Sequence, residues 1–280
     1  MSLKQFKNMK NSFIKNIKNK FYTMVEFYNY SEAEHLTSQE YLFKKNNIDR
    51  TIGEKKLKLF NKKYFNKLKV FDKTDFSIMN ESSEHSLLLG ALSENKNIKK
   101  ILEIGTGSGL NALLLSYLFP DSEITSIDLP DNADLFIDSY NRNEDHKRRE
   151  FVKLRSYVLS FAKNVDFVEQ DSVSLFHSIK NEFDLIWIDA NHNYPYVTID
   201  IINSLKILSV DGLIVCDDII NNDQLKKNTI YKSNAGYETL LALKKANIIR
   251  YELFYKRLDR VRNHSSNARK YLAYVKKVSP

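Results

Sequence analysis

Two short apolar runs in this chain end in side chains that can do chemistry. FDLIWIDANHNY (183–194) ends its run at Asp189 and carries His192 three residues on; GLIVCDD (212–218) ends in Asp217 and Asp218. Three carboxylates brought to one place repel each other unless a cation neutralises them. Oxygen-only ligands suit a hard divalent ion, Mg²⁺ first, with Mn²⁺ or Ca²⁺ as alternatives. Asp189, Asp217 and Asp218 are therefore candidate metal ligands. His192 is a candidate general base, because an imidazole titrates near neutrality with little tuning. The plainer roles are a cap or turn for the acid pair, a solvated strand end for Asp189 and a loop position for His192.

A second group is LEIGTGSGLN (102–111), where Gly105, Gly107 and Gly109 follow an apolar run led by Glu103. Bare backbone there permits a tight turn and the close approach of a ligand, with the N–H groups of a following helix aimed at the same spot. The dinucleotide pattern G-x-G-x-x-G fails, since its third glycine would fall at Leu110. The next apolar run, EITSIDL (123–129), ends in Asp128, 23 residues beyond Gly105, where a carboxylate can accept both hydroxyls of a ribose. A third run, VDFVEQD (165–171), brings Asp171 to where an acid can receive an adenine amino group.

For these groups to meet, their runs must be parallel neighbours. Strand patterns at 98–104, 123–129, 165–171, 183–190 and 212–218 alternate with helical patterns at 110–119, 132–162, 172–180, 195–208 and 235–246. Such alternation predicts a doubly wound, mostly parallel α/β sheet with helices on both faces. The last two strands, 248–256 and 270–277, have no helix between them and are expected to pair antiparallel. Trp187 is read as core. His85, Tyr194 and Tyr196 could border an acceptor pocket.

Glycine loop, ribose acid and adenine acid in this order resemble the class I S-adenosylmethionine-dependent methyltransferases, over about residues 80–280. The resemblance implies a seven-stranded Rossmann-like sheet with an antiparallel C-terminal pair. It also implies cofactor contact at Glu103, Gly105, Thr106, Gly107, Asp128, Leu129, Asp171, Ser172 and Ser83. Ser83 and Glu84 match a segment that closes over the cofactor in small O-methyltransferases. One acid after strand four and an acid pair after strand five look like the metal site of catechol- and caffeoyl-CoA-type O-methyltransferases and of the methyltransferase type 24 group. Two departures stand out: Asp217-Asp218 replaces the usual Asp-Asn, and His192 stands where those enzymes place a lysine.

The expected activity is methyl transfer to a hydroxyl of a small molecule such as a sugar or natural-product intermediate, assisted by Mg²⁺, with Asp189 and His192 as catalytic groups. A nucleic-acid or protein methyltransferase of the same fold is the first alternative. It is weakened by DANHNYP where base-methylating enzymes carry Asn/Asp-Pro-Pro-aromatic. A non-catalytic cofactor-binding module at a membrane surface or in an assembly is the second.

The chain carries 43 Lys/Arg and 35 Asp/Glu, a net +8. Residues 1–100 hold 20 and 11 of these, so the surplus is N-terminal. Residues 1–28 read as a basic amphipathic helix whose stripe (Leu3, Phe6, Met9, Phe13, Ile17, Phe21, Met24, Tyr28) suits packing, a second copy of the chain, or peripheral membrane contact. One cysteine, Cys216, and no secretory pattern suit a cytoplasmic protein. The expected organisation is a helical, basic cap at 1–78 and a methyltransferase domain at 79–280, with a helical insertion at about 132–162.

Overall fold

A computed structural model describes residues 32–68, 83–139, 142–175, 182–221, 233–258 and 270–278. The basic amphipathic stretch 1–28 lies outside them. Three helices come first: α1 (Glu32–Lys45), α2 (Arg50–Leu68) and α3 (Glu84–Leu92). Then follow β1 (Lys100–Ile104), α4 (Leu110–Leu118), β2 (Glu123–Asp128), α5 (Asp134–Ile137), α6 (Asp145–Leu159) and β3 (Val165–Glu169). A 3₁₀ turn (Ser172–Ser174) leads to β4 (Phe183–Ile188), α7 (Tyr196–Ile207), β5 (Leu208–Ile219), α8 (Ala235–Lys245), β6 (Ile249–Tyr255) and β7 (Tyr271–Lys277).

The strands form one seven-stranded sheet in the order β3-β2-β1-β4-β5-β7-β6. The first five are parallel; β7 runs antiparallel to both β5 and β6. Strand alternation sorts the core into two layers. Ile101, Leu185, Trp187, Leu213 and Val215 face Leu57, Phe60, Leu88, Leu113 and Val158 of the helices on one side. Leu102, Ile104, Ile186, Ile188, Ile214 and Cys216 face Val197, Ile201 and Leu240 on the other. A parallel sheet covered on both faces needs such continuous apolar strands. Trp187 is core, as read from its strand.

One element differs from expectation. The helix expected over 132–162 is two helices, α5 and α6. α5 ends at Ile137, and α6 restarts after Glu144, whose backbone is extended. Of the helix expected over 172–180, Ser172–Ser174 form a 3₁₀ turn and Leu175 is α-helical; 176–180 lie outside the described residues. Among the described residues no helix is long and apolar enough to cross a membrane.

Candidate active site

The carboxyl ends of β1 to β4 open into one cavity of about 1290 Å³. Ligands of open α/β sheets bind at such strand ends. Of the residues expected to hold a cofactor, Gly105, Thr106, Gly107, Asp128, Leu129, Asp171 and Ser172 line it. Glu103 and Ser83 do not appear in its wall among the described residues.

The glycine loop is pinned from both sides. The Gly105 and Thr106 amides donate to the carbonyl of Ile127 at 2.9 and 3.2 Å. Gly105 has φ +100°, and a Cβ there would stand 2.3 Å from the carbonyl oxygen of Asp189, so the loop lies directly against the end of β4. Gly107, at φ +53°, differs: a Cβ there would meet nothing within 4 Å. Its backbone faces open space where a ligand can reach it. Asp128 locks the loop, accepting the Gly107 amide at 2.8 Å and its neighbour Leu129's at 2.9 Å. An ionised carboxylate offers about four lone-pair sites, so capacity for ligand hydroxyls remains. Burial raises the Asp128 pKa, against the pull of those two amides.

Glu103 has a supporting role instead. On the alternating strand β1 it falls with Ile101 on the α4 face, fully buried. It accepts the Asn111 side-chain amide at 2.8 Å and the Ser126 hydroxyl, which itself lies 2.7 Å from the Thr106 hydroxyl. Burial pushes its carboxyl up to about 8. Glu103 thus ties β1, β2 and the start of α4 beneath the loop. Asp171 accepts the Val173 amide at 2.9 Å, capping the 3₁₀ turn at the cavity rim.

Ser83 is buried with its hydroxyl 2.5 Å from His85 Nδ1, while the Ser86 hydroxyl lies 3.1 Å from Nε2. His85 is the member of this segment that lines the cavity, its ring 5.7 Å from that of Trp187. Burial pushes its pKa down to about 4, so it is neutral at physiological pH. The neighbouring Glu84 is an internal anchor, held by Arg50 at 2.5 and 3.0 Å and by Gln39 at 3.0 Å. Tyr196 lines the cavity; Tyr194 is exposed and donates to Glu238 at 2.8 Å.

Two wall residues escaped sequence reading. Arg142 lies over the rings of Phe136 and Phe151, 4.0 and 4.3 Å from their centroids. Asp200, on α7, is 1% exposed, and neither carboxylate oxygen has a hydrogen-bond partner among the described residues. Burial pushes its pKa up to about 7. A signal was present: Val197, Asp200, Ile201, Ser204 and Ile207 follow the helical i, i+3, i+4, i+7 spacing, which places Asp200 on the buried face.

Asp189 lines the cavity, but His192, Asp217 and Asp218 stand behind it. His192 Nε2 is 3.5 Å from Asp189 Oδ1 and 3.8 Å from Asp218 Oδ2. Burial disfavours the charged imidazole, yet Asp189, Asp218 and Asp217 outweigh it and raise its pKa. Burial and the Asp217 charge raise that of Asp189. The expected metal does not suit this arrangement, because lysines already engage the acid pair. Lys256 Nζ lies 2.6 Å from Asp217 Oδ2 and 2.5 Å from Asp218 Oδ1, and Lys270 donates to Asp218 Oδ2. Among the described residues no three His, Cys, Asp or Glu side chains are set to hold a metal.

Residues 102–219 match the family model described as a methyltransferase domain. The match runs from the glycine loop through the acid pair of β5. Those residues read as a methyltransferase domain, set on the seven-stranded sheet. Its fold is similar to that of cofactor-bound Rv0187 from MTB (TM-score 0.52, 16% identity, covering 74% of this chain and 85% of that one). It is also similar to an O-methyltransferase from Bacillus cereus in complex with SAH (TM-score 0.51, 12% identity, 89% and 100%). In sequence, 64 residues are 38% identical to a tRNA1(Val) (adenine(37)-N6)-methyltransferase from Vibrio parahaemolyticus, covering 23% of this chain. That match spans only 26% of the relative's length.

Proposed function

We propose that the chain is an S-adenosylmethionine-dependent O-methyltransferase acting on a small hydroxylated molecule. The observation that carries this reading is a single cavity joining the Gly107–Asp128 cradle to Asp189 and His85. Its 1290 Å³ exceeds the roughly 300–1,000 Å³ of ordinary ligand pockets, leaving room for a cofactor and an acceptor together. The open backbone of Gly107 and the free lone pairs of Asp128 fit the amino-acid and ribose parts of the cofactor, and Asp171 with Ser172 fits the adenine end. When bound, the cofactor supplies an electrophilic methyl group on sulfur.

The protein's share is alignment and proton removal. Asp189 faces the cavity and takes the acceptor's hydroxyl proton; His192, its Nε2 3.5 Å from Asp189 Oδ1, stands behind it and orients the carboxylate. This moves the base from His192, its expected position, to the carboxylate in front of it. Neutral His85, fixed by two serine hydroxyls, borders the acceptor. Holding oxygen and methyl in line supplies much of the rate. No step is routed through Mg²⁺, given the lysine-engaged acid pair.

The likeness to the tRNA adenine methyltransferase covers 64 residues, and β4 is followed here by Asp189-Ala190-Asn191-His192 rather than the Pro-Pro-aromatic run of base-methylating enzymes, which favours the small-molecule reading. The test is transfer of labelled methyl from S-adenosylmethionine to pools of small hydroxylated acceptors and, in parallel, to tRNA. Transfer to a small acceptor, reduced about 10²-fold or more in Asp189→Asn, is expected. Transfer to tRNA alone would replace this reading.

A further inference from the structure

The acid pair at the end of β5 is a densely engaged charge cluster behind the cavity wall. All four of its oxygens have donors nearby. Asp217 Oδ1 accepts the Asp218 amide at 2.8 Å, and Asp217 Oδ2 accepts Lys256 at 2.6 Å. Asp218 Oδ1 also accepts Lys256, while Asp218 Oδ2 takes Lys270 and lies 3.8 Å from His192. Asp218 adopts φ +54°, a left-handed conformation that a non-glycine residue keeps only when its surroundings fix it.

Both lysines flank the antiparallel C-terminal strands. Lys256 directly follows β6, its amide donates to the Lys270 carbonyl at 3.1 Å, and Lys270 precedes β7. Since β7 lies beside β5, the antiparallel pair delivers two ammonium groups onto the β5 acids. The two lysine ammonium groups match the two carboxylates of Asp217 and Asp218 charge for charge. The Lys256 side chain is only 12% exposed, so removing it strands buried negative charge.

We infer that the Lys256 ammonium takes the place of a divalent cation, making this a metal-free variant of an acidic site that would otherwise call for one. An ammonium bridging two carboxylates at 2.5 and 2.6 Å cannot share its place with an ion that sits about 2.0–2.1 Å from its oxygen ligands. The chemistry of the oxygens is unchanged; the counter-charge is internal and permanent. Lys256 is a positioning residue: it acts through Asp217 and Asp218 on His192, and through His192 on Asp189. This assignment rests on the methyltransferase reading for its catalytic meaning, but its binding consequence stands apart.

The test is a titration of Mn²⁺ followed by the paramagnetic resonance of the free ion, with wild type, Lys256→Met and Lys256→Arg. Wild type and Lys256→Arg are expected to leave Mn²⁺ free into the millimolar range. Folded Lys256→Met, with its acids uncompensated, is expected to capture one ion at least about tenfold more tightly, a factor worth roughly 1.4 kcal/mol. A merely structural lysine would give no such gain. Submillimolar Mn²⁺ binding by wild type overturns the inference, as does folded Lys256→Met that binds no better than wild type. Should Lys256→Met fail to fold, Lys256→Gln takes its place, and the wild-type titration decides alone if both fail. S-adenosylhomocysteine binding on the same samples separates the two readings. Mn²⁺ capture by wild type with that binding intact overturns only the role of Lys256. Lost binding overturns the reading of the cavity and leaves the metal result standing.

Discussion

Gly105 and Gly107 sit two residues apart with positive φ, yet substitution should separate folding from binding. At Gly105 an added methyl group would stand 2.3 Å from the Asp189 carbonyl oxygen and 2.7 Å from its carbon, both backbone atoms. Relief requires moving β1 away from β4, at about 2–3 kcal/mol or more once the left-handed conformation, about 1–2 kcal/mol, is included. At Gly107 the methyl meets nothing, so only the conformational cost of about 1–2 kcal/mol applies. For a chain of this size 1 kcal/mol corresponds to roughly 2–4 °C in Tm. Gly105→Ala should therefore melt well below Gly107→Ala. Binding should reverse the order of interest: the Gly107→Ala methyl occupies the space where the cofactor meets backbone. Its affinity for S-adenosylhomocysteine should drop about tenfold or more, roughly 1.4 kcal/mol. Scanning calorimetry and titration calorimetry on the three proteins measure both quantities. Wild-type affinity in a folded Gly107→Ala would refute the placement of the cofactor against this loop, and an unshifted Tm for Gly105→Ala would refute its packing against β4.

Asp128→Ala should keep the fold but lose about 1.5–3 kcal/mol of cofactor affinity, the worth of hydrogen bonds to a charged group; unchanged affinity removes the ribose assignment. Asp200 gives a pH signature. Its folded pKa, about 7, lies above the unfolded 3.8, so ionisation opposes folding; the penalty sets in above pH 4, grows towards pH 7 and is constant beyond. Asp200→Asn should therefore gain up to about 4 kcal/mol over wild type at pH 8, from about three pKa units at 1.36 kcal/mol each, and nothing from this source at pH 3.5. Melting curves with parallel pH dependence would contradict this. Glu103→Gln should fold normally at pH 7, because a carboxyl titrating at about 8 is already neutral there, whereas Glu103→Ala strands Asn111 and Ser126 and should lose about 2–3 kcal/mol; equal stabilities of the two variants by denaturant titration would refute that support.

Much of this was legible in the sequence because parallel strands buried on both faces write themselves as apolar runs with chemistry at their ends. Gly105, Asp128, Asp171 and Asp189 could be read that way, each at or just beyond the end of its strand. Glu103 misled because a conspicuous acid before a glycine loop looks like a ligand group, while the pleat turns it toward α4. Asp217 and Asp218 suggested a divalent metal ion; the positive charge beside them comes instead from Lys256 and Lys270, which lie 38 and 52 residues from Asp218 and become neighbours only through the antiparallel return of β7. Asp200 could have been found from its helical spacing, but a mid-helix carboxylate is usually solvated. The break between α5 and α6 falls at the extended Glu144, which periodicity does not report.

The central claim, that the loop at residues 105–109 and Asp128 hold S-adenosylmethionine, is tested most directly by titrating S-adenosylhomocysteine into the purified chain by calorimetry, with and without Mg²⁺. One site of micromolar affinity, about −8 kcal/mol, unchanged by Mg²⁺, is predicted. A folded sample with no detectable binding would contradict the account.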